Sequence, residues 1–369
     1  MKTTRITTVV GARPQFVKAA AVSRAIARLN ERSGAGRIVE RIVHTGQHYD
    51  RALSGSFFED LRIPPPAENL EVGSGPHGQQ TGRMLERLEV VLAADRPDWV
   101  VIHGDTNSTL AGAVAAAKMH LPVAHVEAGL RSFNRRMPEE INRVVADHLS
   151  TLLLCPTARS LENLAREGIE RGVHRVGDVM YDSVRFHADL AEARSDVMSR
   201  LGLEPRSYHL ATIHRAENTD DADRLEGIFG ALSRLDRPVV VPLHPRTRER
   251  LPAGRLRAGG NVRVVEPVAY LDMITLERNC RLVLTDSGGV QKEAYWFARP
   301  CVTLREETEW VELVEAGCNR LVGARPEAIL DAVAAFEEAG GELPADRPGD
   351  LYGDGRAAER LVEVLASDC

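Results

Sequence analysis

WVVIHGDTNSTLAGAVAAAKMHLPVAHVEAG, residues 99–129, joins two apolar runs through a polar turn and a helical pattern. Residues 99–103 form an apolar run without the alternation of a half-exposed strand, so they read as a strand buried on both faces. A polar turn follows, then helical spacing over 108–120, then a second buried run at 123–126. A strand, a helix and another buried strand in that order form a right-handed crossover in a parallel sheet.

The same alternation extends outward. Apolar runs at 6–10, 41–44 and 151–154 alternate with helical patterns at about 14–32, 79–94 and 138–149. The pattern then restarts. Strands are expected at 209–213, 239–242, 262–265, 282–285 and 301–304, with helices at about 223–235, 270–278, 288–297 and 326–338. Between the two series, residues 191–207 are polar, contain Gly202 and Pro205, and show no strand pattern. The sequence therefore predicts two doubly wound, Rossmann-like parallel-sheet domains, 1–190 and 191–350. An amphipathic helix within 351–369 is expected to pack back on the first domain. Such sheets bind ligands beyond the carboxyl ends of their strands, so the expected site is an interdomain cleft.

A chain of 369 residues fits two domains. Its 43% hydrophobic and 27% charged content is that of a globular protein. A net charge of -6 offers no global basic field, which argues against nucleic acid as a partner. The five cysteines, at 155, 280, 301, 318 and 369, form no CxxC pair, so neither a disulfide framework nor a zinc ribbon is expected. Arg13 interrupts the first apolar run, and no stretch reaches the ~20 apolar residues of a membrane span. A cytoplasmic protein without a membrane partner is the expectation.

The loops after the strands hold the chemistry. GARPQFVK, residues 11–18, lies between the first strand and helix, where helix amides with Arg13 and Lys18 suit a phosphate. A plain turn with surface cations has the same appearance. TDSGGVQKE, residues 285–293, opens a helix after an apolar strand. Gly288 and Gly289 allow close backbone approach, Ser287 adds a hydroxyl, and Glu293 could accept bonds from ribose hydroxyls. The simpler reading is an N-cap followed by an exposed acid. Asp105 and Glu127 follow buried strands, and Glu139 and Glu140 stand in MPEEINR. Acids so placed need partners, for which Arg131 and Arg143 are candidates, or they serve acid–base chemistry. His214 and His244 end successive strands and suit ligand or general-acid roles. No HxxxH spacing is present, and no metal is predicted.

GARPQFVK, HTGQHYD, GDTNSTLAG, HVEAGLRS, MPEEINR, TIHRAEN, HPRTR and DSGGVQKEA, in this order, closely resemble the non-hydrolysing UDP-N-acetylglucosamine 2-epimerase family. The resemblance implies a GT-B arrangement, a UDP-sugar substrate, no cofactor and a homodimer. By motif position it implies Asp105, Glu127 and Glu139 as catalytic acids and His214 as a catalytic-site histidine. Arg13, Lys18, Ser287, Gly288, Gly289 and Glu293 become UDP-binding residues. Gln47, His48 and His244 fall in motifs that could form an allosteric subsite, although His48-Tyr49-Asp50 differs from the commonest string.

Two further positions depart from the family pattern. Trp310 stands where a substrate-contacting arginine is common, and Met273 where a uracil-contacting phenylalanine is common. GARPQF, FNRRMPEEINR and TEWVELVE look most like the branch acting on UDP-2,3-diacetamido-2,3-dideoxyglucuronic acid, which feeds surface polysaccharides. Arg135 and Arg136 are then candidate cations for a C6 carboxylate. Competing readings are a hydrolysing epimerase that releases N-acetylmannosamine and UDP, a GT-B glycosyltransferase, and a UDP-sugar sensor.

Overall fold

The structure, a computed structural model, describes residues 3–33, 38–47, 63–243, 247, 248, 250 and 260–367. His48 and His244, two of the three subsite candidates, lie outside the described residues. The chain divides into two compact units, Met1–Arg185 with Asp350–Cys369, and Phe186–Gly349.

The first unit is built on β1 (Thr4–Val10), β2 (Ile38–His44), β3 (Glu68–Asn69), β4 (Trp99–His103), β5 (Val123–Val126), β6 (Leu152–Cys155) and β7 (Val173–Arg175). All pairs are parallel, in the order β3-β2-β1-β4-β5-β6-β7. Its helices are α1 (Arg13–Ser33), α2 (His77–Asp95), α3 (Asn107–Lys118), α4 (Pro138–Leu149) and α5 (Ala158–Arg166). The division of the chain falls inside α6 (Val179–Arg194), a helix that the spacing of apolar runs does not reveal.

The second unit carries β8 (His209–Thr212), β9 (Val239–Pro242), β10 (Val262–Val265), β11 (Val283–Thr285), β12 (Cys301–Thr303) and β13 (Asn319–Leu321). These are parallel in the order β10-β9-β8-β11-β12-β13. Its helices are α7 (Val197–Leu201), α8 (Ala216–Thr219), α9 (Ala222–Leu232), α10 (Tyr270–Asn279), α11 (Gly288–Trp296), α12 (Val311–Glu315) and α13 (Pro326–Glu338). The last helix, α14 (Ala357–Ser367), belongs to the first unit and packs on α1.

Burial on both faces explains the apolar runs. In β4, Val101 joins one core with α1 and α14, while Val100 and Ile102 join another with α2 and α3. In the second unit, Ala211 packs with α9 and α13, and its neighbour Leu210 with Leu276, Cys280 and Ala294. Each sheet reverses its strand order once, at β1/β4 and at β8/β11. At these switch points adjacent loops diverge and leave room for a ligand.

Candidate active site

At the first switch point, the loop after β1 is tied to the end of β4. Gln15 is buried; its Oε1 accepts from Gly11 N at 2.8 Å and Ala12 N at 3.1 Å. Its Nε2 donates to His103 O at 2.8 Å and Thr109 Oγ1 at 3.0 Å. Gly11 is required for space rather than for a turn conformation: a Cβ there would overlap Ser108 Oγ and Thr45 Oγ1, and its φ is not in the left-handed region.

Lys18, on the second turn of α1, is buried and ion-pairs with Glu127 Oε2. Glu127 follows β5 with φ +71°, a strained conformation for a residue with a side chain. Beside this pair lies His103, fully buried, with neither ring nitrogen bonded among the described residues. Burial, then the charges of Lys18 and His125, push its pKa down to about 3 against the pull of Glu127. His103 is thus a neutral ring beside a charged pair.

Asp105 is half-buried, and its Oδ2 meets Arg143 Nη2 of α4. Arg143 also bonds Glu140 Oε2 at 2.9 Å. Glu140 is buried and shapes the preceding loop, accepting from Ser132 N, Ser132 Oγ and Phe133 N at 2.9, 3.0 and 2.9 Å. Its neighbour Glu139 points its carboxyl into no bond or ion pair among the described residues. MPEEINR thus divides its two acids between a loop clamp and a half-buried carboxyl. Arg13, Arg135 and Arg136 are exposed. Gln47 Oε1 accepts from Ser108 N at 3.1 Å and Ser108 Oγ at 2.7 Å, which ties it to the start of α3.

At the second switch point the hub is Asp286, a residue the sequence reading passed over between Thr285 and Ser287. It is fully buried and accepts from His214 N, Arg215 N and Asn218 Nδ2, each at 3.1 Å. His214 Nδ1 lies 3.3 Å from Asp286 Oδ1, with the ring largely exposed. Ser287 is the N-cap of α11 and accepts from Val290 N at 3.5 Å. The N-cap of the simpler reading is thus present, and a capped helix start still presents amides that can meet an anion. A Cβ on Gly288 would come 2.6 Å from Glu309 Oε1, so the glycine is a site of close approach.

Glu293 is buried on α11 rather than exposed. Trp310 is buried too, with Lys292 Nζ 3.9 Å from the centre of its ring. Met273 packs at the edge of the core around Cys280. The structure thus gathers Lys18, Asp105 and Glu127 at one sheet and His214, Asp286, Ser287 and Gly288 at the other. Gln15, His103, His125, Asp147 and Asp286 were missed as candidates. The legible signal for two of them was a histidine inside an otherwise apolar strand.

The sequence model for UDP-N-acetylglucosamine 2-epimerase matches residues 30–366. A UDP-2,3-diacetamido-2,3-dideoxy-D-glucuronate 2-epimerase of Pseudomonas aeruginosa is 50% identical over 98% of this chain and 99% of its own. A UDP-N-acetylglucosamine 2-epimerase homolog of Methanococcus maripaludis is 48% identical over 98% and 99%. The structure of Methanocaldococcus jannaschii UDP-GlcNAc 2-epimerase in complex with UDP-GlcNAc and UDP aligns with TM-score 0.88 and 42% identity, covering 98% of this chain and 99% of that one. The chain belongs to the UDP-N-acetylglucosamine 2-epimerase family: it has the GT-B class of fold and is an isomerase of UDP-sugars.

Proposed function

We propose that this family member inverts C2 of UDP-2,3-diacetamido-2,3-dideoxyglucuronic acid, without releasing free sugar, in the supply of a surface polysaccharide. The observation that carries the substrate is the 50% identity, over nearly the whole of both chains, to the Pseudomonas aeruginosa enzyme that bears this name. UDP-N-acetylglucosamine is the second reading, favoured by the 41% identity to the Methanocaldococcus jannaschii enzyme.

The C2 hydrogen of such a sugar is not acidic, so direct deprotonation is unfavourable. Elimination avoids the carbanion. A carboxylate takes the C2 proton, the C1–O bond breaks, and UDP leaves with the bonding electrons, giving a 2-acetamidoglucal. UDP then re-adds at C1 while C2 is protonated on the opposite face. Two proton-transfer groups and a firm hold on departing UDP are needed. Asp105, Glu127 and Glu139 suit proton transfer, with Lys18 neutralising charge beside Glu127. The start of α11, with Ser287, Gly288 and Gly289, suits the diphosphate, Glu293 the ribose and His214 the sugar end. Arg13 suits the phosphates, while Met273 and Trp310 support the nucleotide-sugar pocket and Gln47 an activating subsite. The same reading makes the protein a cytoplasmic homodimer.

Turnover of each substrate in heavy water, followed by NMR, tests the proposal. Deuterium should enter C2 of the epimer, and the diacetamido-uronic substrate should turn over faster. Turnover without deuterium sinks the elimination route. Free sugar as product establishes hydrolysis, and a faster UDP-N-acetylglucosamine reaction reverses the substrate choice.

A further inference from the structure

We propose that His125 and Asp147 are positioning residues for the C2 inversion, one buried relay holding both acid-bearing turns of the first unit in register. The inference rests on the elimination and re-addition reading above.

His125 on β5 is fully buried, and its two ring nitrogens are used in opposite directions. Nδ1 lies 2.7 Å from Asp147 Oδ1, and Nε2 lies 2.7 Å from Gly104 O. Both partners are acceptors, so each nitrogen donates. The second oxygen of Asp147 turns toward the other loop, accepting from Gly129 N at 3.1 Å and Arg131 Nη1 at 2.6 Å. Arg131 is anchored in turn by Glu167, with Nε and Nη2 each 2.7 Å from a carboxyl oxygen. Burial alone would raise the pKa of Asp147; His125 and Arg131 outweigh it and hold the pKa below the ordinary value. The relay is thus a chain of buried hydrogen bonds from β5 through Asp147 of α4 to Arg131.

Its two ends matter for chemistry. Gly104 is the residue before Asp105, and Gly129 lies two residues beyond Glu127. Gly104, Glu127 and Gly129 all have left-handed φ, at +62°, +71° and +80°. Turns of this kind persist where surrounding bonds over-determine them. The relay therefore ties the turn before Asp105 to the turn after Glu127, alongside the backbone bonds of Gly104 N to Val126 O and Glu127 N to Leu154 O. A reaction that removes a proton from one face and returns it to the other depends on the separation of Asp105 from Glu127, and a misplacement of about 1 Å costs on the order of a hundredfold.

The test uses Asp147→Asn and His125→Gln in the full chain. Each should lower kcat about ten- to a hundredfold, with KM for the UDP-sugar within about threefold of wild type. The decisive readout is partition. Loosening the acids should raise the share of turnovers that release the free 2-acetamidoglucal and UDP instead of the epimer, several-fold over wild type. A merely structural role lowers the amount of active enzyme and leaves this ratio unchanged, which would overturn the proposal. UDP affinity and melting temperature establish folding. Glu167→Gln, at the outer and partly exposed end, is the milder companion if the buried variants do not fold. A smaller shift of the ratio in the same direction supports the relay, and a wild-type ratio rejects it. Wild-type turnover with no deuterium at C2 overturns the elimination reading and the relay with it. Normal exchange in wild type with an unchanged ratio in the variants overturns the relay alone.

Discussion

Burying a single ionisable side chain without a partner carries a cost that pH can reveal. Glu277 of α10 is 1% exposed, and neither carboxyl oxygen has a hydrogen-bond partner among the described residues. Burial, then repulsion from Glu293 on α11, pushes its pKa well above the ordinary 4.5. The folded chain thus keeps a proton that the unfolded chain releases above about 4.5. Folding stability must fall as pH rises from that value toward the raised one, because above it the unfolded state no longer binds the proton. Glu277→Gln removes the penalty while keeping the shape. Its melting temperature should exceed that of wild type by more at pH 8 than at pH 5, read by thermal unfolding at both. An equal difference at the two pH values would show that Glu277 does not titrate in the fold. The acid lies in the second unit beside Glu293, the residue proposed for ribose, and beside Tyr208, Cys280 and Cys301 of the core.

At the scale of elements, the strands and longer helices were legible, and the side-chain pairings that align them were not. The runs 99–103, 123–126 and 239–242 match β4, β5 and β9, because burial on both faces leaves a continuous apolar signature, while 262–265 matches β10, an edge strand that is only partly buried. The helices at 138–149 and 326–338 match α4 and α13, each opened by a proline that suits a first helical turn. β3, β7 and β13 escaped notice because they are two or three residues long and partly exposed. The anchors of the site are long-range in sequence: Gln15 reaches His103 across 88 residues, and Asp286 reaches His214 across 72. Such pairs exist because the strand order places β1 beside β4 and β8 beside β11, which no local pattern encodes. Asp286 shows what such an anchor contributes. It collects two backbone amides and the Asn218 amide, and so fixes the start of α8 and the loop bearing His214. Asp286→Ala should cost about 2–4 kcal/mol in urea unfolding, since it strands several buried donors at once. It should also weaken UDP binding measured by calorimetry, because Ser287 and Gly288 begin at the same carboxylate-bearing residue. Wild-type affinity in this variant would detach the loop from nucleotide binding.

Across the whole molecule, each unit owns its core, and the chain end decides the first one. The core built on β1, β4, β5 and β6 includes Ala357, Ala358, Leu361, Val362 and Leu365 of α14, all 3% exposed or less. Asp182 accepts from Ala357 N at 3.1 Å and Ala358 N at 2.8 Å, which binds the start of α14 to α6. The two large clusters of the second unit contain no residue from the terminal segment. Burying a Val or Leu side chain is worth about 1.5–3 kcal/mol, so Leu361, Val362 and Leu365 together contribute roughly 5–9 kcal/mol. A domain's entire net stability is about 5–15 kcal/mol. Loss of α14 is therefore comparable to everything that keeps the first unit folded. A chain ending at residue 349 should lose amide hydrogen-exchange protection throughout β1, β4 and β5 while β8, β11 and β12 stay protected, as mass spectrometry of exchanged peptides would resolve. Its epimerase activity should vanish, because the acids sit on the unfolded side, whereas UDP should still protect the start of α11. Adding residues 350–369 as a peptide should restore protection in β1 and β4. Full protection of β1 in the truncated chain would mean that α14 covers an already stable sheet and contributes well under about 5 kcal/mol to it.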